Sequence, residues 1–343
     1  MILLVIGGTV FVGRHIVEAA LRRGHRVTLF NRGEHNPGLF PEIRKIRGDR
    51  ATVDGLAALG TGSAEDAGTD YDAVVDTCGY VPRIVRLSAN ALATTARRYC
   101  FVSSISVYAD TNTIGLSEDS PVATLADAAT ETVDGDTYGP LKALCESEVR
   151  AVFGDRSLII RPGLIVGPHD PTDRFTYWPR RIAEGGHVLA PDRPELPTQF
   201  IDARDLAEWT VAALEADRAG VYNATGPEYP LTMGAVLATC VAESGSDAEI
   251  VWAPPEFLAE QGIAPWSDLP LSVPPDEMRG FNRVDNRKAV AAGLRFRPLR
   301  ETVRDTLASN RALPPGHEPT AGLTRARERA ALDAWARRSG VGG

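Results

Sequence analysis

Tyr138 and Lys142 stand four residues apart in Tyr138-Gly139-Pro140-Leu141-Lys142, which puts a phenol and an ammonium on one face wherever the segment is helical. An ammonium beside a phenol stabilises the phenolate and draws its pKa toward neutrality, so Tyr138 can give or take the proton of a carbonyl/alcohol couple. Pro140 fits only the first helical turn, which sets Tyr138 at the helix entrance. Upstream, Tyr99-Cys100-Phe101-Val102 is an apolar run closing on Ser103-Ser104, and a hydroxyl at the carboxyl end of a parallel strand faces the ligand crevice of an open α/β sheet. There Ser104 can hydrogen-bond a substrate oxygen and steady the charge that develops on it. Ser103 and Ser106 compete for that role, and strand-end capping is the plain alternative. Tyr-x-x-x-Lys by itself recurs by chance; the strand and its hydroxyls supply the context.

Those groups need a scaffold and a redox partner. Short β-rich runs at 2–6, 26–30, 73–76, 99–103 and 157–160, with a weaker one at 43–47, alternate with amphipathic stretches at 12–23, 82–97 and 137–153, the rhythm of a helix-covered parallel sheet. The runs are mostly continuous, as for strands buried on both faces. Directly after the first comes Gly7-Gly8-Thr9-Val10-Phe11-Val12-Gly13 and then a helix-compatible segment. Glycines allow a tight turn and close backbone approach to a pyrophosphate, whose charge the free N–H groups of a helix start attract. Gly7, Gly8, Thr9, Phe11, Val12 and Gly13 are therefore cofactor-binding candidates. Val10 stands where the middle glycine of a Gly-x-x-Gly-x-x-Gly spacing is usual, so the loop must tolerate a Cβ there. The second run ends Leu29-Phe30-Asn31-Arg32-Gly33, without the acid that an NAD-selective site sets against the ribose. Asn31 and Arg32 take that place, and a guanidinium suits a 2′-phosphate. NADP(H) is the expected cofactor, with NAD(H) the alternative. Asp49, at the end of the third run, is a candidate for the adenine amino group.

Composition bounds the rest. The chain has 343 residues, 43% of them hydrophobic, enough for one large or two closely packed domains. A formal charge of −8 opposes general polyanion binding, so no nucleic-acid partner is expected. The apolar opening reaches Gly7-Gly8 after six residues, and no later run approaches the ~20 apolar residues of a membrane span; it reads as a buried strand. The four cysteines are scattered and form no metal-ligand spacing with histidine, which suits a cytoplasmic location and predicts no metal. After Arg161-Pro162-Gly163 the chain becomes rich in Pro and Gly, with helices expected at 174–185, 203–216, 232–243, 284–292 and 323–338. Phe200-Ile201-Asp202 and Gly220-Val221-Tyr222-Asn223 read as strands returning to the main sheet. The fold class is α/β: a Rossmann-type doubly wound parallel sheet over residues 1–165, rejoined by parts of 199–225, with a smaller interwoven substrate lobe and C-terminal helix over 166–343.

Gly7-Gly8-Thr9-x-Phe11-Val12-Gly13, Ser103-Ser104-x-x-Val107-Tyr108, Tyr138-Gly139-x-x-Lys142, Arg161-Pro162-Gly163 and Phe200-Ile201-Asp202-x-x-Asp205-Leu206-Ala207 together resemble the extended short-chain dehydrogenase/reductase, or NAD-dependent epimerase/dehydratase, family. The likeness runs in order over most of residues 1–210, and Gly293-Leu294-x-Phe296-x-Pro298 is similar to the family's C-terminal element. It implies that Tyr138 is the acid/base, Lys142 its activator and a ribose ligand, and Ser104 the active hydroxyl. It implies also that Cys78, Gly79 and Pro162 line the cofactor, and that a homodimer forms through helices including the one with Tyr138. Dehydratases of the family follow the active hydroxyl with Asp-Glu, whereas Ile105-Ser106 stands here, so dehydration is not expected. The Arg with which the family's sugar-nucleotide enzymes grip the diphosphate is replaced by Thr198, with Arg180, Arg181 or Arg193 as candidate substitutes. NADP(H) fits net reduction, so a reductase or dehydrogenase of a small carbonyl compound is the leading expectation. Nucleotide-sugar epimerisation comes second, and an atypical nucleotide- or RNA-binding member without turnover third. His169, Phe175, Tyr177 and Trp178 occupy the stretch where the family builds its substrate pocket, although Phe175 and Trp178 also suit one packed face of a helix.

Overall fold

A computed structural model describes residues 1–57, 59, 70–127, 129–274, 277–314 and 316–339. The final four residues of the expected C-terminal lobe and residue 315 of its Pro/Gly-rich 311–322 stretch lie outside the described residues. The chain opens β1 (Ile2–Ile6), α1 (Phe11–Arg22), β2 (Arg26–Asn31), β3 (Arg44–Arg47), α2 (Val53–Ala57), β4 (Ala73–Asp76), α3 (Pro82–Leu92), β5 (Tyr99–Val102), α4 (Tyr138–Phe153) and β6 (Ser157–Pro162). It continues β7 (Leu164–Val166), α5 (Tyr177–Ala183), β8 (His187–Pro191), β9 (Pro197–Asp202), α6 (Ala203–Glu215), β10 (Gly220–Ala224), β11 (Gly226–Thr232), α7 (Met233–Ser244), β12 (Glu249–Ala253), α8 (Pro255–Glu260), α9 (Arg287–Ala291), α10 (Leu299–Arg311) and α11 (Arg325–Ser339).

Seven parallel strands form the main sheet in the order β10-β6-β5-β4-β1-β2-β3. Every residue of β4, β5 and β6 is buried, which is why those runs carry no polar alternation. The order reverses direction between β1 and β4, and the crevice beyond the carboxyl ends at such a point is where open α/β sheets take ligands. The chain divides into two compact units: Met1–Leu164, Ala203–Gly226 and Val284–Arg295 form one, and Ile165–Asp202, Pro227–Arg283 and Phe296–Gly343 the other.

The strand at Gly220–Ala224 does join the main sheet, beside β6. Phe200-Ile201-Asp202 does not; it belongs to β9, the middle of a three-stranded sheet with β7 and β11. A short apolar run declares that it will be a strand but not which edge it will find, and β10 already occupies the free edge of β6. In the second unit β8 pairs in parallel with β12. The expected helix at 82–97 stops at Leu92, and the one at 284–292 shrinks to Arg287–Ala291. No helix among the described residues is long and apolar enough to cross a membrane. No group of three or more His, Cys, Asp or Glu side chains among them could hold a metal ion.

Candidate active site

The glycine turn joins the end of β1 to the start of α1. Gly8 adopts φ +88°, open to glycine and strained for other residues. A Cβ on Gly13 would stand 2.7 Å from the Gly8 backbone nitrogen, so glycine is what lets the helix sit against its own turn. The first N–H groups of α1 have no partner within the helix, and a helix N-terminus after such a turn is what receives a pyrophosphate. Val10 is the N-cap residue of α1, in extended conformation, and its side chain is 42% exposed. The Cβ expected to disturb the loop therefore points outward. Thr9 is buried, and Phe11 and Val12 are half-buried.

Asn31, the last residue of β2, donates its amide N–H to the Gly7 carbonyl at 2.9 Å and accepts from Arg47 Nη1 at 2.7 Å. Arg32 reaches outward to Glu34 at 2.7 Å, both more than half exposed. Asp49 is exposed, and its Oδ1 closes an Asx turn by accepting the Ala51 N–H at 2.9 Å.

Beneath the turn lies a charged cluster with no counterpart in the sequence reading. Arg50 donates through both Nη atoms to the buried Asp76 carboxylate at 2.6 Å, and Tyr99 donates to the same carboxylate at 2.8 Å. Burial raises the Asp76 pKa, but the Arg50 charge and hydrogen bonds prevail and the result is lowered. Asp76 Oδ1 also accepts the Cys78 N–H at 3.2 Å, so the ion pair ties down the loop carrying Cys78 and Gly79. A Cβ on Gly79 would stand 2.5 Å from the Phe101 ring. The position of Asp76, one acid at the carboxyl end of an otherwise apolar strand, was the available signal.

Lys142 is 3% exposed. Its ammonium donates to the carbonyls of Gly79 at 2.8 Å and Val102 at 2.6 Å and lies 4.2 Å from the Phe101 ring centroid. An ammonium has three donors, so the third remains for a ligand or phenol. Burial lowers its pKa to about 8, opposed by Cys145, Asp76 and Glu146. The Tyr138 and Tyr80 ring centroids are 6.4 Å apart. Tyr80, absent from the sequence reading, is 46% exposed and lies 5.3 Å from Lys142 Nζ. Desolvation first, then nearby Tyr138, pushes its phenol up to about 12.

Ser104 caps the short turn at Ile105–Val107: its Oγ accepts the Ser106 N–H at 3.1 Å and lies 3.1 Å from the Ser106 hydroxyl. A Cβ on Gly139 would come within 2.1 Å of the Ser106 carbonyl, so the first turn of α4, with Tyr138, is seated directly on the Ser104 loop. Ser103 instead donates to Glu146 at 2.6 Å. Glu146 takes two hydrogen bonds from Arg161 at 2.9 and 2.7 Å. Arg161 reaches the Tyr108 hydroxyl at 3.2 Å, and that hydroxyl donates to Asn223 at 2.6 Å. Burial opposes the charge of Arg161; the Glu146 hydrogen bonds overcome it and raise its pKa. One buried network thus fixes the residues next to Ser104 and Pro162 to the helix of Tyr138 and Lys142. Glu146 lies on the same helix face as both, four residues beyond Lys142. Gly139→Ala should therefore lower kcat about 100-fold, because displacement of order an ångström is enough for such a loss, and leave cofactor affinity intact. Steady-state kinetics with fluorescence titration checks it; unaltered kcat would contradict the seating argument.

The remaining expected residues lie in the second unit. Phe175, Tyr177 and Trp178 are at most 1% exposed; Trp178 Nε1 donates to the Pro270 carbonyl at 2.8 Å, and the Phe175 ring packs on Phe200. None of the three reaches solvent: Tyr177 and Trp178 open α5 and Phe175 lies in the turn before it, all packed into the core of their own unit. His169 is exposed, with φ +67°. Arg181, a candidate for gripping a diphosphate, is buried against Glu328 at 2.5 Å.

A doubly wound parallel sheet with a glycine turn at its switch point defines a Rossmann-type nucleotide-binding protein. The chain belongs to the NAD dependent epimerase/dehydratase family, which it matches over residues 3–225. It is 28% identical over 288 residues, 82% of this chain and 68% of the relative, to 2'-dehydrokanamycin reductase of Streptomyces kanamyceticus. It is 26% identical over 273 residues, 74% of this chain and 67% of the relative, to the chloroplast stem-loop binding protein of 41 kDa b of Arabidopsis thaliana. Its fold is similar to that of Thermus thermophilus UDP-glucose 4-epimerase in complex with NAD, at TM-score 0.60 and 18% identity, covering 91% of this chain and 99% of that one.

Proposed function

We propose that the protein is an NADP(H)-dependent oxidoreductase that reduces the carbonyl of a small non-nucleotide compound, or oxidises the alcohol, at a Ser104–Tyr138–Lys142 site. The observation that carries this reading is the contact of Gly139 with the Ser106 carbonyl, beside a Lys142 ammonium fixed between the Gly79 and Val102 carbonyls. The kinship with a protein named as a reductase supports it.

The residues fit a dinucleotide: Gly13 lets the start of α1 sit directly against the Gly8 backbone, which sets the N-terminus of the helix beside the glycine turn, where a pyrophosphate binds. Gly7, Gly8, Thr9, Phe11, Val12 and Gly13 would hold the pyrophosphate, and Lys142 with Cys78, Gly79 and Pro162 the nicotinamide riboside. Asn31 and the basic side chains beside it would hold the adenosine, with Asp49 at the adenine amino group. When bound, the nicotinamide supplies or accepts the hydride. Tyr138 then gives its proton to the carbonyl oxygen, Ser104 hydrogen-bonds that oxygen, and the Lys142 ammonium stabilises the phenolate left behind. In oxidation the proton runs the other way.

Epimerisation is the second reading, favoured by the likeness to UDP-glucose 4-epimerase. It fits less well because an epimerase keeps its cofactor, and the end of β2 carries an amide and an arginine rather than a ribose-binding acid. Nucleotide or RNA binding without turnover is the third, favoured by the stem-loop binding relative. Titration with NADPH and NADH, followed by nicotinamide fluorescence, should give tighter binding of NADPH; equal or tighter NADH binding would overturn the cofactor assignment. With a ketone substrate, a reductase consumes one cofactor per turnover and an epimerase none in net amount.

A further inference from the structure

Arg32 follows β2, while Lys45 and Arg47 lie on β3, and the surroundings of the three differ. Arg32 is ion-paired with Glu34, so the pair carries no net charge toward an incoming anion. Lys45 donates to the Pro37 carbonyl at 3.0 Å. Arg47 directly faces Asn31 in the parallel ladder, and its Nη1 donates to the Asn31 amide oxygen at 2.7 Å. A neutral amide leaves the guanidinium its full charge.

Arg47 is exposed, as Arg32 is, but its neighbours position it. Gly33 has φ +83°, and a Cβ there would stand 2.0 Å from Arg47 Nη1 and 2.4 Å from its Cζ. The guanidinium lies in room that only glycine leaves, next to the turn following β2. Asn31 donates the other end of its amide to the Gly7 carbonyl. One side chain thus spans from the guanidinium to the first residue of the phosphate-binding turn. A guanidinium meets a phosphate through two parallel N–H groups, and engagement by Asn31 leaves Arg47 further donors.

We propose that Arg47, rather than Arg32, is the cation that pairs with the 2′-phosphate of bound NADP(H), held in place by Asn31 within the space left by Gly33. This rests on the NADP(H) reading above and assigns its discrimination to a residue of β3. Arg32 remains in its surface pair with Glu34 and contributes a minor share. The distinction comes from local charge, because Glu34 lies beside Arg32 whereas Arg47 is held by a neutral amide.

The test uses the purified full chain and two probes without nicotinamide, 2′,5′-ADP and 5′-AMP, titrated by calorimetry. Wild type should bind 2′,5′-ADP more tightly. Arg47→Met should weaken 2′,5′-ADP by about 10- to 100-fold and leave 5′-AMP unchanged; Arg32→Met should have a smaller effect. Circular dichroism checks that each variant retains the fold. If wild type binds both probes equally, the NADP(H) reading fails and this assignment with it. If wild type prefers 2′,5′-ADP but Arg47→Met weakens both probes alike, or Arg32→Met weakens 2′,5′-ADP more, the assignment to Arg47 alone is overturned.

Discussion

Tyr138→Phe should lower kcat by about 10²- to 10⁴-fold while NADPH affinity stays at the wild-type value. The ring remains, so its packing beside Tyr80 and the seat of α4 on Ser106 persist; only the transferable proton is lost. An interaction confined to the transition state reduces kcat and kcat/KM together. Tyr80→Phe serves as the control, because its phenol is pushed up to about 12, too high to exchange protons readily near neutrality. Turnover by Tyr138→Phe at the wild-type rate would remove Tyr138 from the mechanism.

The second large effect is on stability. Glu146→Ala should lower the free energy of unfolding by about 3–5 kcal/mol, the usual cost of breaking a buried ion pair. Arg161, whose side chain is 3% exposed, would keep its charge and lose both carboxylate contacts, and Ser103 would lose its acceptor. Replacing both partners, as Glu146→Leu with Arg161→Met, should recover much of the stability, because no uncompensated charge is then left inside. It should not recover the rate, since the network also registers the Ser104 strand end against α4. Urea denaturation of the single and double variants measures the first effect and kcat the second. A Glu146→Ala protein within about 0.5 kcal/mol of wild type, the range of surface substitutions, would show that the pair holds nothing in place.

The parallel sheet was readable because burial of β4, β5 and β6 on both faces leaves uninterrupted apolar runs, and because the glycine turn and Pro140 fix where α1 and α4 begin. The second unit resisted reading for an equally physical reason. Helix α10 buries Thr302, Val303, Thr306 and Leu307, a face half made of threonine that periodicity in apolar residues does not register. Its small sheets are assembled by pairings such as β8 with β12, far apart in sequence, which no local pattern encodes. Among the residues proposed for the site, Tyr138, Lys142 and Ser104 stand out in the sequence by type and spacing. Arg47, Arg50, Asp76 and Glu146 do not, because a charged side chain at a strand end or on a helix reads as solvated until its buried partner is known. Phe175 and Trp178 show the converse: aromatic spacing that suits a pocket equally suits a core, and both side chains are buried.

The most direct test is a crystal structure of the protein grown with NADP⁺. The account predicts the nicotinamide ring beside Tyr138 and Ser104, with room for a substrate carbon about 3–3.5 Å from the reactive ring carbon, and Lys142 Nζ bonded to the adjoining ribose. A nicotinamide lying away from Tyr138, or an adenosine in its place, would contradict it.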